Sequence, residues 1–297
     1  MAVTRRGRFS SGIHMATPQD RYIKIGNINT RYWEEGHGGP AVVLIHGLGA
    51  SADIWMHNIS ALAESHRVYA PDLVGFGRTE KPDVTYSPSY IAAFLDDFMT
   101  ALGIEYPILI GLSLGGGVAL QYTLQFPGRV DRLVLVDSAG LGRELPLPMR
   151  LATIPLLGEL MLTPSRSGMA FVLRQLVYDP SVITDGLIDL YCELNFSERA
   201  SKTVLFVLRA CATVGGARSE VIDPILKNLG NITIPTLVIW GREDHLFPLG
   251  HACSAVEKIP DSHLYIFDRC GHMPNLERPK EFNSLVLKFL DGHALHS

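Results

Sequence analysis

The chain has 297 residues, 47% of them hydrophobic and 19% charged, with a formal net charge of −4. That length suits one large domain, or a core carrying a sizeable insertion, around a buried interior. The mild negative balance and the lack of a long Lys/Arg run argue against nucleic acid or an anionic membrane as main partner, and no apolar stretch reaches the roughly 18–20 residues that span a bilayer.

Residues 1–17 are basic (Arg5, Arg6, Arg8) and lack the apolar core of a secretory signal. His14-Met15 reads as a cloning junction or an internal start, so this segment is set aside as a flexible extension. Two short strands follow, Arg21–Gly26 and Thr30–Glu34, joined by a tight turn at Asn27 and read as an antiparallel start. Ala41–His46 is a continuous apolar run, the kind buried on both faces of a parallel sheet. The pattern recurs at Arg67–Pro71, Pro107–Gly111, Arg132–Asp137, Pro235–Gly241 and His263–Asp268. Between these runs lie helical patterns at Trp55–Glu64, Ser87–Leu102, Leu114–Phe126, Leu249–Lys258 and Pro279–Leu290. Such alternation predicts an α/β fold, a mostly parallel sheet with helices on both faces.

The rhythm breaks once. From Gly140 to about Glu220 no good strand is visible, only helical patterns at Met149–Leu162, Gly168–Val177, Ile183–Asn195 and Ser197–Thr213, punctuated by five prolines from Pro146 to Pro180. The expected organisation is therefore a core at 18–140 and 221–297, interrupted by a helical cap at 141–220 that sits over the sheet edge. Four cysteines (Cys192, Cys211, Cys253, Cys270) form no C-x-x-C pair and no zinc pattern. Buried reduced thiols and a cytoplasmic setting are the expectation.

One pentapeptide carries chemistry. Gly111-Leu112-Ser113-Leu114-Gly115 follows an apolar strand and precedes a helix-compatible run. A serine on such a turn is exposed at the carboxyl edge of the sheet, with flanking glycines letting the backbone pass closely. The helix that starts there favours negative charge. Ser113 is thus the expected nucleophile.

Its hydroxyl needs a base, and eleven histidines compete for the role. His272, in Cys270-Gly271-His272-Met273-Pro274, lies between the last strand and the last helix, at the same sheet edge as Ser113. The others are terminal or lack a comparable position, and His46 is expected to brace its loop. The base in turn needs a carboxylate. Asp244, after the strand Thr236–Trp240, is the first choice, with Glu243 next to it and Asp137 at a strand end as rivals. Oxyanion donors are expected from the backbone N–H of Leu114 and, in the loop His46-Gly47-Leu48-Gly49, of Leu48. Asp72 stands in a glycine-rich turn and is read as structural. No metal cluster and no dinucleotide fingerprint is present, so neither metal nor organic cofactor is expected.

These motifs together resemble the α/β-hydrolase superfamily from about Arg21 to Leu290, carried by His46–Gly49, Asp72–Gly77, Gly111–Gly115, Gly241–Asp244 and Gly271-His272. The resemblance implies an eight-stranded sheet, Ser113 with Asp244 and His272 as its relay, and no cofactor. Within the superfamily, capped esterases and lactonases look most similar. Haloalkane dehalogenases and epoxide hydrolases use an aspartate nucleophile, and cofactor-free haloperoxidases usually carry Trp where Leu48 stands. Carbon–carbon bond hydrolases of aromatic ring-cleavage pathways are the nearest competitor, although they tend to have Asn at the position of Leu112 and Trp at that of Met273.

The reading is a serine carboxylesterase for short-to-medium acyl esters, acting on a small-molecule ester through an acyl-enzyme. The alternatives are a carbon–carbon hydrolase, a lactonase or thioesterase, and a ligand-sensing protein on the same fold. Met149, Leu156, Leu160 and Phe171, with Met273 beside the histidine, are the candidate substrate contacts; for the cap residues the alternative is the cap's own core.

Overall fold

The computed structural model describes residues 17–293; apart from Thr17, the expected N-terminal extension lies outside them. In chain order the strands are β1 (Arg21–Ile25), β2 (Ile28–Glu35), β3 (Ala41–Ile45), β4 (Arg67–Pro71), β5 (Ile108–Leu112), β6 (Arg132–Val136), the two-residue pair β7 (Ala212–Thr213) and β8 (Gly216–Ala217), then β9 (Thr236–Gly241) and β10 (Ser262–Phe267). All but β7 and β8 form one eight-stranded sheet in the order β1-β2-β4-β3-β5-β6-β9-β10. β2 is antiparallel to β1 and to β4, and every other pairing is parallel. Strands β3, β5 and β9 are buried at every residue, as central strands covered on both faces must be.

The helices are α1 (Ile59–Leu62), α2 (Pro88–Ala101), α3 (Leu114–Gln125), α4 (Leu147–Ala152), α5 (Leu157–Met161), α6 (Arg166–Gln175), α7 (Asp185–Asn195), α8 (Glu198–Cys211), α9 (Ser219–Asn228), α10 (Leu249–Val256), α11 (Pro274–Glu277) and α12 (Pro279–Leu290). Successive strand residues point to opposite faces, so each strand feeds two cores. Val43 and Ile45 join the core that holds Phe98 of α2 and Leu120 of α3. Val42 and Leu44 join the core that holds Trp55, Leu62 of α1 and Phe282 of α12.

Helices α4 to α9 fill the segment between β6 and β9, where the alternation breaks. Local caps explain three of them: Ser165, Thr184 and Ser197 each accept the backbone N–H of the residue three positions on, opening α6, α7 and α8. Other details differ from the sequence reading. The helix expected over Met149–Leu162 is two helices, because Pro155 lacks an N–H and disfavours helical backbone at Ile154; Leu156 then takes a φ of +68° before α5 begins. Trp55–Glu64 holds only the four-residue α1, after a 3-10 turn at Ala52–Trp55. The segment also contains the short β7–β8 pair. All four cysteines are free, yet Cys253 is exposed and only Cys270 is fully buried, so the expectation of buried thiols holds for one. Among the described residues no helix is long and apolar enough to cross a membrane.

A buried ion network ties the N-terminal strands to the loops beneath the sheet edge. Arg31 on β2 places its Nη1 2.9 Å from Asp53 Oδ2 and 3.0 Å from Asp72 Oδ1, with the guanidinium over Trp33. Asp72, fully buried at the end of β4, also accepts the N–H groups of Ala52 and Arg78 at 2.7 Å each. Its role is therefore structural. Asp72→Ala leaves the buried guanidinium short of a partner and is expected to lower the unfolding free energy by about 3–5 kcal/mol, read from urea denaturation.

Candidate active site

β5 runs into α3 through Ser113, whose φ of 55° and ψ of −118° no ordinary strand or helix shares. A serine in that region costs of order 1–3 kcal/mol and persists only where the surroundings enforce it. Here they do. A Cβ on Gly115 would stand 2.2 Å from the carbonyl oxygen of Ile45 in β3, and one on Gly111 would stand 2.4 Å from the oxygen of Gly115. Only glycine lets β5 and α3 close around the serine, whose N–H is held by Val136 O at 2.9 Å.

His272 and Asp244 meet at the same carboxyl edge. His272 Nδ1 lies 2.9 Å from Asp244 Oδ2, with both side chains buried. The Nε2 of that ring is buried without a hydrogen-bond partner among the described residues. Burial pushes the Asp244 carboxyl up, but the His272 ring and the N–H groups of Leu246 and Phe247 outweigh it and hold the group below its ordinary range. The histidine loop is clamped by a residue the sequence reading missed. Glu277 accepts the N–H of Gly271 at 2.8 Å and that of Tyr178, past the end of α6, at 2.7 Å, while His272 N–H reaches Leu176 O at 2.7 Å.

Of the rival acids, Glu243 accepts the Cys270 N–H at 2.9 Å and so braces the ends of β9 and β10. Asp137 is closer to the chemistry. Its Oδ1 accepts the Gly241 N–H at 2.9 Å, and ligand atoms of Asp137, Asp244 and His272 all lie within 4.8 Å of one another.

Ser113 opens onto a cavity of about 110 Å³, and Leu48 and Leu114 line it beside the serine. Leu114 is the first residue of α3, so helix geometry leaves its N–H without an intrahelical partner. His46 braces the Leu48 loop, as expected: its Nε2 accepts the Leu73 N–H at 2.9 Å and its Nδ1 donates to Gly47 O at 2.8 Å. Burial pushes its pKa down, which keeps this neutral tautomer. Asn195 at the end of α7 donates to Gly49 O at 2.8 Å and ties the inserted helices to the same loop.

Met149 lines the cavity, whereas Leu156, Leu160 and Phe171 do not: they point outward at 84%, 71% and 66% exposure. On α6 it is Ala170 and Leu173, three apart, that face inward, and Phe171 between them faces solvent. Met273 is buried in the core under the sheet and is no part of the cavity wall. The wall missed by sequence is made by Val207 and Leu208 of α8, Ile222 and Ile225 of α9, Phe247 and His251. Residues 221–225 fell beyond the cap boundary drawn at 220, yet their i, i+1, i+4 spacing marks one helix face. His251 pairs with the exposed Glu144 at 2.6 Å. Among the described residues that line the cavity there is no lysine, arginine or carboxylate.

A fluorophosphonate probe is expected to label wild type at Ser113 and to leave Ser113→Ala unlabelled. Asp244→Asn, with unchanged circular dichroism, is expected to label about 10⁴-fold more slowly, the size of loss seen when a carboxylate no longer fixes the tautomer of its base.

The chain is 32% identical over 279 residues to a 2-hydroxy-6-oxo-6-(2'-aminophenyl)hexa-2,4-dienoic acid hydrolase from Metapseudomonas resinovorans, covering 93% of this chain and 92% of that protein. A mutant of the meta-cleavage product hydrolase CumD from Pseudomonas fluorescens IP01 superposes with a TM-score of 0.79 at 31% identity, over 92% of this chain and 97% of the other. A putative lipase from Acinetobacter baumannii AYE also superposes with a TM-score of 0.79, at 28% identity over 93% and 92% of the two chains. Residues 42–285 match the Alpha/beta hydrolase family, and with the sheet order and the serine turn already described, this chain belongs to that family.

Proposed function

We propose that this protein is a serine hydrolase that cleaves a carbon–carbon bond beside a ketone in a ring-opened dienoate of the meta-cleavage type. Ser113 is the nucleophile, His272 its base, Asp244 the carboxylate that orients the base, and the N–H groups of Leu48 and Leu114 hold the oxyanion. The observation that supports it most is whole-length likeness to hydrolases of 2-hydroxy-6-oxo-dienoates, in a chain whose strained serine opens onto an apolar cavity under α8 and α9. This reverses the preference drawn from sequence, where the ester came first and the carbon–carbon bond second.

The chemistry follows from the substrate class. The 2-hydroxydiene must first become its 2-keto tautomer, with a proton placed on C5. Ser113 Oγ then adds to the C6 ketone while His272 Nε2 takes the hydroxyl proton, and the oxyanion sits between the two N–H groups. Collapse breaks the C5–C6 bond, and its electron pair flows toward the C2 carbonyl as a dienolate, which His272 reprotonates. Water, deprotonated by the same ring, frees the acyl group from Ser113. Each oxyanion N–H supplies roughly 3–4 kcal/mol of transition-state stabilisation in comparable sites.

One observation favours an ester as the second reading. A dienoate carries a carboxylate, and no lysine or arginine stands among the described residues lining the cavity. Moving an uncompensated carboxylate into an apolar wall costs several kcal/mol. A neutral ester of a small acid avoids that cost, and the same relay serves it.

Initial rates on 2-hydroxy-6-oxo-6-phenylhexa-2,4-dienoate and on p-nitrophenyl esters from acetate to palmitate separate the two. The expected result is loss of the dienoate chromophore with a kcat/KM at least about tenfold above the best ester, a transition-state preference near 1.4 kcal/mol, abolished in Ser113→Ala. The reverse ranking, peaking at short or medium chains, establishes the ester. A folded wild type that turns over neither returns the question to ligand sensing.

A further inference from the structure

Asp137 is a buried acid that the reaction as written does not use. It directly follows β6, takes a left-handed φ of 39°, and is fully enclosed. Its backbone N–H is spent on Ile239 O in β9 and its Oδ1 on the Gly241 N–H. Its Oδ2 is buried without a hydrogen-bond partner among the described residues, although Asp244 and His272 stand within the same 4.8 Å cluster. Two carboxylates that close, both ionised and out of water, repel strongly; a shared proton removes the repulsion and turns the orphaned oxygen into a donor.

The two sites are unequal in a way that decides where the proton goes. Asp244 receives the N–H groups of Leu246 and Phe247 and faces the His272 ring, all of which favour its charge. Asp137 receives one N–H, from Gly241, and faces Asp244 from the turn after β9, Cys270 from the loop after β10 and Glu277 from α11, none of which supplies positive charge; His272 stands in the same cluster but turns its Nδ1 to Asp244. Burial first, then the neighbouring Asp244 charge, push the Asp137 carboxyl well above the ordinary carboxylate range.

We propose that Asp137 is a positioning residue for the relay: it keeps its proton through the neutral range and donates Oδ2–H to the carboxylate of Asp244, holding that group against His272. The proposal rests on Asp244 and His272 acting on Ser113, and it adds a third link, a carboxylic acid feeding a carboxylate feeding an imidazole. The donated hydrogen bond draws charge from Asp244, so removing it favours the imidazolium and moves the acid limb of reactivity upward.

The test uses the fluorophosphonate labelling rate of Ser113 against pH, which reads the nucleophile whatever the substrate. Asp137→Leu is expected to label about tenfold more slowly, the factor corresponding to loss of one hydrogen bond to a charged group, with its acid limb raised by about one pH unit. Asp137→Asn, whose amide can donate to Asp244 and accept from Gly241, is expected to recover most of that rate and to return the limb. Two further readouts need no activity. Infrared difference spectra of wild type against Asp137→Asn are expected to show a protonated carboxyl band at neutral pH. Thermal stability carries the sign of the proton: Asp137 has a raised folded value, so it takes up a proton on folding, and wild-type stability falls as pH rises from the unfolded carboxylate range toward that value. The Tm of Asp137→Asn should therefore exceed that of wild type by a margin that widens from about pH 5 to about pH 8.

Absence of the carboxyl band, or an Asn variant as slow and as shifted as the Leu variant, overturns the proposal. Should Asp137→Leu fail to fold, the band and the Tm margin still decide it. Wild type that does not label at Ser113 overturns the relay and this inference together; labelling with neither dienoate nor ester turnover overturns only the substrate reading.

Discussion

The site depends on one backbone crossing. Strand β5 must hand over to α3 within a single residue, and that residue, Ser113, sits at a φ of 55° while Gly115, two residues on, passes against the carbonyl of Ile45 in the neighbouring strand β3. The close approach is what points the hydroxyl into the cavity and what leaves the first N–H of α3 beside it. It is also why glycine stands at 111 and 115: any Cβ there would occupy space already taken by backbone oxygen. The local cost is recovered from burial of β3 and β5, every residue of which is covered on both faces. Apolar strands thus supply the stability that a strained serine spends.

A second layer of order comes from charges buried on purpose. The loop carrying Leu48 has glycine on either side of that residue, at 47 and 49. It is held from below by the two ring nitrogens of His46, each with a backbone partner, and from the side by Asn195. The 3-10 turn that follows it is fixed because Ser51, Asp53 and the Ala52 N–H all feed into the Arg31–Asp72 network. Replacing such a network with apolar groups often leaves stability unchanged. What the charges confer is direction: each N–H and each oxygen accepts one geometry, and oxyanion donors need placement to a few tenths of an ångström.

The core was legible because its signals are local. Continuous apolar runs such as Ala41–Ile45 and Thr236–Trp240 announce strands covered on both faces, and the serine turn needs glycines at defined offsets. The inserted helices were not legible in the same way. Their faces are set by what they pack against, and Leu156, Leu160 and Phe171 look in sequence like any lining residue. Solvent, not the cavity, takes them, since Pro155 ends one helix early and α6 turns Ala170 and Leu173 inward. Ile222 and Ile225 had the right spacing but lay past the point where the insertion was expected to end. Glu277 gave no signal at all, because its partners at Tyr178 and Gly271 are backbone groups, which residue identity does not reveal.

The ambiguity between Asp137 and Asp244 has a topological origin. β6 and β9 are adjacent and parallel, with Val136 paired to Ile239, so both deliver their strand-end residues to the same place beside His272. Chain position therefore cannot distinguish the two acids; hydrogen-bond supply can. The turn after β9 curls back so that Leu246 N–H reaches the Asp244 carboxylate, while Asp137, spending its own N–H on Ile239 O, sits in a strained strand end with a single donor. Charge settles where the donors are, and the poorer site must stay neutral to remain buried. A fold that offers two seats for an acid thereby assigns them different protonation states.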